Sequence, residues 1–307
     1  MTKKGFVGID IGGTNIKSAF VKNGQIKKRI RLPTNARQGH KIVLAQIKSA
    51  IKPFVKQASG IGVGIAGIID SVRGIVRYSP NLPGWNNIQL KKILREEFRR
   101  PIEILNDVNA VCLGEWKYGA AKGYDNVFLF TLGTGVGGAA ICEGVPLFGE
   151  NGFAGEFGHT VIKYDGPQCS CLNYGHLERY VGARYIVARA KRKIKRNFSS
   201  LRKFRTITPE IIAQEAKKGD RISWEIFSEI SYFIAIGITN IIVLFDPAVV
   251  IIAGGISGAG RILFAPIRKI VKEKLMGAKY RNYKIIPAKL GDDAGILGAV
   301  YYASTNS

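Results

Sequence analysis

The chain has 307 residues, of which 46% are hydrophobic and 22% charged, a length that suits about two folded domains. Its 46 Lys+Arg against 22 Asp+Glu give a formal charge of +24, which suits anionic partners. Four cysteines at this length argue against a disulfide scaffold. The start, MTKKGFVGIDIGG, carries no secretory signal, and the longest apolar run, ending in NIIVLFDPAVVIIAGG, is broken by Asp246 and Pro247, so a cytoplasmic protein with no membrane span is expected.

Residues 6–24 alternate as two short strands around a glycine turn, Asp10-Ile11-Gly12-Gly13-Thr14. A helix is predicted over 41–56, with His40 in a surface loop before it. GIGVGIAGIID (60–70) reads as an apolar strand ending in glycines. The strand IEIL leads into Asn106-Asp107-Val108-Asn109 and a helix over 107–119 that stops at Gly119. Residues 127–145 then repeat the first hairpin at an offset of 121, so that Asp10 aligns with Thr131, Gly12 with Gly133 and Ala19 with Ala140. Thr208 with Pro209 caps a further helix that Gly219 closes, and 221–245 forms a long apolar helix. VVIIAGGISG (249–258) echoes 60–70, and 295–303 closes the chain as a helix. Alternating strands and helices in two similar copies predict an α/β protein with a cleft between them. Cys112 and Cys142 are expected to be reduced core residues.

The first turn suits phosphate. Gly12 and Gly13 let backbone N–H groups approach an anion, Thr14 can donate to a phosphate oxygen, and Asp10 at the strand end can hold Mg²⁺ through water. The second turn contains Gly133, Thr134, Gly135 and Gly137 and matches G-x-G-x-x-G. That spacing marks a dinucleotide site only when a helix follows. Here AAICEG follows, which is strand-like, and a Walker A loop is absent. The phosphate site is therefore expected from two hairpins.

Asp107, at a strand-to-helix junction, is the candidate general base for a hydroxyl proton in phosphoryl transfer; helix capping is its alternative role. His159, Cys169, Cys171 and His176 form a Cys₂His₂ set suited to one structural Zn²⁺. Glu156 and Glu178 lie in the same stretch and can hydrogen-bond a polyol. Between Arg184 and Arg205 stand ten Lys/Arg and no acid, read as a solvated helix and loop, with a nucleic-acid surface as the less favoured alternative.

Together these residues resemble the ROK family of repressors and sugar kinases. The family signature is matched from Leu132 to Gly155-Glu156-Phe157-Gly158-His159. The zinc motif C-x-C-G-x-x-G-C-x-E reads CSCLNYGHLE here, with Leu172 in place of a glycine and His176 in place of the third cysteine. Ala66 stands where many relatives have proline.

The resemblance implies a two-domain, actin-like (hexokinase/ribonuclease H-like) α/β fold with an interdomain cleft. Its expected parts are residues 1–118 joined by about 295–307, and residues 119–294 with the zinc loop. It further implies ATP with Mg²⁺ at the turns 10–14 and 133–138 and at Gly254 and Gly255. Sugar contacts are implied for Asn81, Asn106 and Asp107, and for Glu156, His159 and Glu178. The segment PNLPGW resembles the glucokinase branch, so 6-phosphorylation of D-glucose by a homodimer or higher homo-oligomer is the expectation. Fructose, mannose, N-acetylglucosamine and N-acetylmannosamine are the rival sugars, and polyphosphate is a less favoured donor. A sugar-responsive repressor is not expected, because only nine residues precede Asp10 and Asp107 is present.

Overall fold

In a computed structural model that describes residues 5–306, the chain divides into two compact units. Among the described residues, one comprises 5–123, 146–154 and 289–306, the other 124–145 and 155–288. The leader expectation drawn from Met1–Lys4 lies outside the described residues.

The first unit is built on strands β1 (Gly5–Ile11), β2 (Asn15–Lys22), β3 (Gln25–Pro33) and β4 (Ala58–Ile65). A small sheet holds β5 (Ile68–Asp70), β6 (Ile75–Tyr78) and β7 (Asn86–Ile88), and β8 (Ile102–Asn106) returns to the main one. The main sheet runs β3-β2-β1-β4-β8. The hairpins β1–β2 and β2–β3 are antiparallel, whereas β1–β4 and β4–β8 are parallel.

Helix α1 (His40–Ile51) places Val43, Ile47, Ala50 and Ile51 on one buried face, the 3.6-residue spacing of an amphipathic helix. It is shorter than the 41–56 expected, because a 3₁₀ turn over Val55–Gln57 must deliver the chain into β4. His40 is exposed and opens α1 rather than lying in a loop. Helix α2 (Leu90–Phe98) precedes β8, and α3 (Asp107–Tyr118) follows it. The C-terminal helix, Ala294–Asn306, lies against α3 with no room between them. A Cβ at Gly298 would overlap the Ala110 carbonyl, and one at Gly114 would overlap that of Ala294.

The second unit repeats the plan. Strands β9 (Val127–Leu132), β10 (Val136–Cys142), β11 (Val145–Pro146), β12 (Val249–Ala253) and β13 (Lys284–Pro287) run β11-β10-β9-β12-β13. Again an antiparallel hairpin is followed by two parallel pairings. The repeat read from the sequence thus has a topological counterpart. Thr131 pairs with Gly137 where Asp10 pairs with Lys17.

The helices are α4 (Glu178–Val181), α5 (Ala183–Arg196), α6 (Pro209–Lys217), α7 (Arg221–Phe245) and α8 (Arg261–Lys274). Helix α6 starts as predicted, the Thr208 side chain accepting from the Ile211 N–H. Helix α7 corrects the expectation that no apolar run approaches a membrane span: its 25 residues suffice by length and composition. It buries Ile226, Phe227, Ile230, Ile234, Ile238, Ile241 and Ile242 in the unit's core and ends at Asp246 in a left-handed cap. Cys112 is buried, whereas Cys142 is only half-buried at a strand end, so only the first is a core thiol.

Candidate functional site

In the first unit the parallel strands β1, β4 and β8 bring their C-terminal ends together, the end of an open α/β sheet at which ligands bind. Asp10 pairs with Gly64 of β4, and Ile65 with Asn106 of β8. The turn after β1 is closed by Gly12 N–H donating to Asn15 O at 3.0 Å, and by Thr34, whose hydroxyl donates to Gly12 O at 2.6 Å. Thr14 is left exposed at its tip. Gly13 has no space for a side chain without pressing on Asn81, whose Cβ would be 3.1 Å away. Asn81 itself is exposed on a loop held down by buried Leu82 and Trp85, the apolar members of PNLPGW.

Asp10 sits under Gly295 of the C-terminal helix, and burial raises its carboxyl above the usual range. Lys17, 3.9 Å away, pulls in the opposite direction while bonding Asp292 at 2.9 Å. Asp10 and Asp292 thus share one ammonium at the mouth of the turn. Lys17 and Asp292 escaped the sequence reading, although strand pairing places residue 17 directly opposite residue 10 in the hairpin.

Asn106 is the N-cap of α3. Its Oδ1 accepts from the N–H groups of Val108 (2.8 Å) and Asn109 (3.3 Å), and its Nδ2 donates to Gly67 O at 2.9 Å. Asn106 fills the N-cap position, and Asp107 adds an acceptor to the same helix start. Asp107 occupies the first helical position, half-buried, with one oxygen accepting from Val108 N–H at 3.0 Å.

In the second unit the turn between β9 and β10 is closed by Gly133 N–H donating to Gly135 O at 3.0 Å. Thr134 is exposed at its tip, and Gly137 lies across from Thr131. Ala183, at the start of α5, donates its N–H to Gly133 O at 2.9 Å. Gly254, with φ 88°, is pressed on Leu132 of β9, so a left-handed backbone and lack of room both require glycine there. Gly255 faces Glu210 of α6 instead.

Glu178 ties the turn to the cysteine loop. One oxygen accepts from Val136 N–H at 3.1 Å. The other meets Arg184 at 3.1 Å, Ser170 Oγ at 3.2 Å and Cys169 Sγ at 4.0 Å. Arg184 is therefore more than a member of a basic run. Other cations of that run are also paired, Lys193 with Glu225 and Lys203 with Glu215.

One donor atom from each of His159, Cys169, Cys171 and His176 lies within 4.8 Å of the others. His159 Nδ1 and His176 Nδ1 are 3.3 Å apart, and Cys171 Sγ is 3.2 Å from His176 Nδ1. Four N/S donors at such spacings fit the edges of a tetrahedron around Zn²⁺. Burial lowers the His176 pKa, favouring the neutral imidazole that binds metal. Leu172, in the family's glycine position, keeps a glycine-like backbone with φ 72°. Glu156 lies near enough to His159 and Glu178 to feel both charges, and burial raises its carboxyl.

The ROK family pattern matches residues 6–306. The glucokinase of Thermotoga maritima is 36% identical, the alignment covering 97% of each chain. The xylose repressor of Caldicellulosiruptor bescii is 34% identical over 78% of this chain and 61% of its own length. Among solved structures, a ROK family glucokinase from Streptomyces griseus, in complex with glucose and AMPPNP, superimposes with a TM-score of 0.84. It shares 30% identity, covering 98% of this chain and 99% of that one.

Proposed function

The chain belongs to the ROK family, and from that premise we propose that it is an ATP-dependent sugar kinase acting on the 6-hydroxyl of a hexose, D-glucose first. The observation that carries this reading is the arrangement at the end of β8. Asn106 takes the helix cap, and Asp107 follows it at the first helical position, at the same C-terminal sheet end as Asp10 and one strand removed from β1. Kinship with the two glucokinases supports glucose as the acceptor.

In the proposed reaction Asp107 accepts the proton of the 6-hydroxyl as that oxygen attacks the γ-phosphorus of ATP. The bond from γ-phosphorus to the bridging oxygen breaks, and ADP leaves with the electron pair. Asn81 and Asn106 orient the sugar hydroxyls from the first unit; Glu156, His159 and Glu178 supply acceptors and a donor from the second. The turns Gly12-Gly13-Thr14 and Gly133–Gly137, with Gly254 and Gly255, are the proposed nucleotide contacts, through the N–H groups that the turns do not use themselves. Asp10 would hold a Mg²⁺ ion, which would supply charge neutralisation for the phosphates.

Zinc on His159, Cys169, Cys171 and His176 would fix the loop that carries Glu156 and Glu178. His159, with one nitrogen on the metal, would keep its second nitrogen for the sugar. The exposed apolar residues of α7, among them Trp224, Leu244 and Phe245, suit a homo-oligomer, which light scattering would test.

Likeness to the xylose repressor supports a second reading, a sugar sensor without chemistry. A coupled ADP-release assay separates the two. It should be run across hexoses and 2-acetamido hexoses, with ATP, other nucleotides and polyphosphate as donors. Turnover with glucose and ATP supports the kinase, a higher kcat/KM on 2-acetamido sugars moves the substrate, and no turnover on any pair removes the kinase reading.

A further inference from the structure

At the other end of β4 and β8 from Asp10 and Asp107, the chain forms a cationic hollow. Its lining includes Lys56, Gln57, Ser59, Arg99 and Arg100, and no carboxylate contributes to it. Two polar atoms there are buried without a hydrogen-bond partner, the Ser59 hydroxyl and Arg100 Nε. The Arg100 guanidinium makes one long bond, from Nη1 to the Arg99 carbonyl at 3.5 Å. Buried polar groups in folded proteins nearly always find partners, and a buried Nε without an acceptor is a costly arrangement. Arg99 adds a second anomaly. It caps α2 with φ 51° and ψ 45°, a left-handed backbone that glycine would adopt without strain. The chain has an arginine there instead.

We propose that this hollow binds a phosphate dianion, free or as a monoester. Two guanidinium groups and one ammonium supply the charge, and the guanidinium fork matches the spacing of phosphate oxygens. The Ser59 hydroxyl supplies a neutral donor; Arg100 Nε and Ser59 Oγ are closed to solvent in the empty hollow, and a side-chain rotation on binding gives them the partners they lack. A carboxylate ligand would satisfy fewer of these donors, and a neutral ligand would leave the positive charge uncompensated. The site is separate from the phosphate turns. Residues 99–101 lead directly into β8 (Ile102–Asn106), and Ala58 and Ser59 open β4, so the length of a five-residue strand, roughly 17 Å, separates the hollow from Asp107. It therefore stands whether or not the kinase reading does.

The test is calorimetric titration of the full chain with inorganic phosphate and with a hexose 6-phosphate, each with the phosphate turns saturated by the non-hydrolysable nucleotide AMPPNP. Wild type should bind at one additional saturable site. Arg100→Gln and Ser59→Ala should each weaken that site about tenfold or more. Arg99→Gly removes a charge while relieving the left-handed backbone, so it should melt no lower than wild type and still lose affinity. Tighter binding of the hexose 6-phosphate than of inorganic phosphate identifies an ester as the occupant, and equal binding identifies free phosphate; both support the site. No saturable binding, or unchanged binding in Arg100→Gln and Arg99→Gly alike, overturns it.

Discussion

The β1–β2 and β9–β10 hairpins have one backbone plan and different chemistry. Each places a glycine turn after the first strand and runs alongside a parallel strand, β4 in one case and β12 in the other. In the first, position 10 is an aspartate with a lysine across from it; in the second, the equivalent position is Thr131 facing Gly137. The first hairpin is separated from Asn106 and Asp107 by the single strand β4, and the second is bonded to Glu178 and thereby to the His/Cys cluster. A duplicated scaffold has kept its shape and divided its tasks. An aspartate facing a lysine marks the first hairpin, and a tie through Glu178 to the His/Cys cluster marks the second.

The largest effect should come from the side of this division that handles the proton. Asp107→Asn keeps shape and hydrogen bonding but removes basicity. Loss of a positioned base should lower kcat by roughly 10²- to 10⁴-fold. Sugar affinity, measured by equilibrium binding, should stay near wild type, because the second unit keeps its contacts. Near-normal kcat would place the base elsewhere and erase the proposed contrast between the two hairpins. Asp10→Asn should differ by raising the Mg²⁺ and ATP requirement more than the sugar requirement.

The next effect tests the other unit. Cys171→Ser removes one of four ligands, and zinc content after dialysis should drop well below one per chain. Metal affinity should fall by at least about 10- to 100-fold. Sugar KM should rise with it, since Glu178 and Glu156 lose a fixed loop. A fully active protein free of zinc would refute the stiffening role.

How these parts could be read in advance depends on which residues carry their own signal. The hairpins were legible because alternation and glycines act locally, and α7 was legible to the residue because Asp220 caps it and Asp246-Pro247 ends it. The cysteine loop was legible because its ligands are close in sequence. The end of α1 was not, since nothing local in 52–57 forbids another turn; what stops it is the demand that β4 begin at Ala58. The partnership of Lys17 with Asp292 spans most of the chain and exists only once the C-terminal helix is docked. The hollow at Arg99 and Arg100 was invisible for a related reason. Two arginines after a helix look like solvated charge until strand pairing buries one nitrogen.

Acid should treat the two units differently. In the second, Lys218, Ser200 and Lys203 hold the buried Glu215 carboxyl at about 2, against 4.5 ordinarily. A pKa lowered by folding gives stability that is full above the unfolded value and lost as pH falls from 4.5 toward 2. In the first, the Asp10 pKa is raised, so protonation there favours the folded state instead. Chemical denaturation from pH 6 to 2 should show a steep acid limb that Glu215→Gln flattens by up to roughly one proton. Asp10→Asn should not flatten it. Equal slopes in wild type and Glu215→Gln would remove the distinction.

The smallest effect concerns a departure from the family motif that only the second unit carries. Leu172 holds φ 72° in the turn between Cys171 and His176, where an L side chain crowds the following carbonyl at roughly 1–2 kcal/mol. Its side chain is 74% exposed, so little burial compensates that strain. The backbone is committed all the same: Leu172 N–H donates to Cys169 O at 3.1 Å, and Leu172 O accepts from Gln168 Nε2 at 3.0 Å. Leu172→Gly relieves the crowding and gives back roughly 0.5–1 kcal/mol to the freer unfolded chain. The net expectation is a gain of about 0.5–1 kcal/mol, read as a small rise in Tm for the zinc-loaded protein and slower zinc loss to a chelator. A lower Tm for Leu172→Gly would mean that the leucine contributes more by contact than the left-handed backbone costs, and that the strain assigned to this loop is not there.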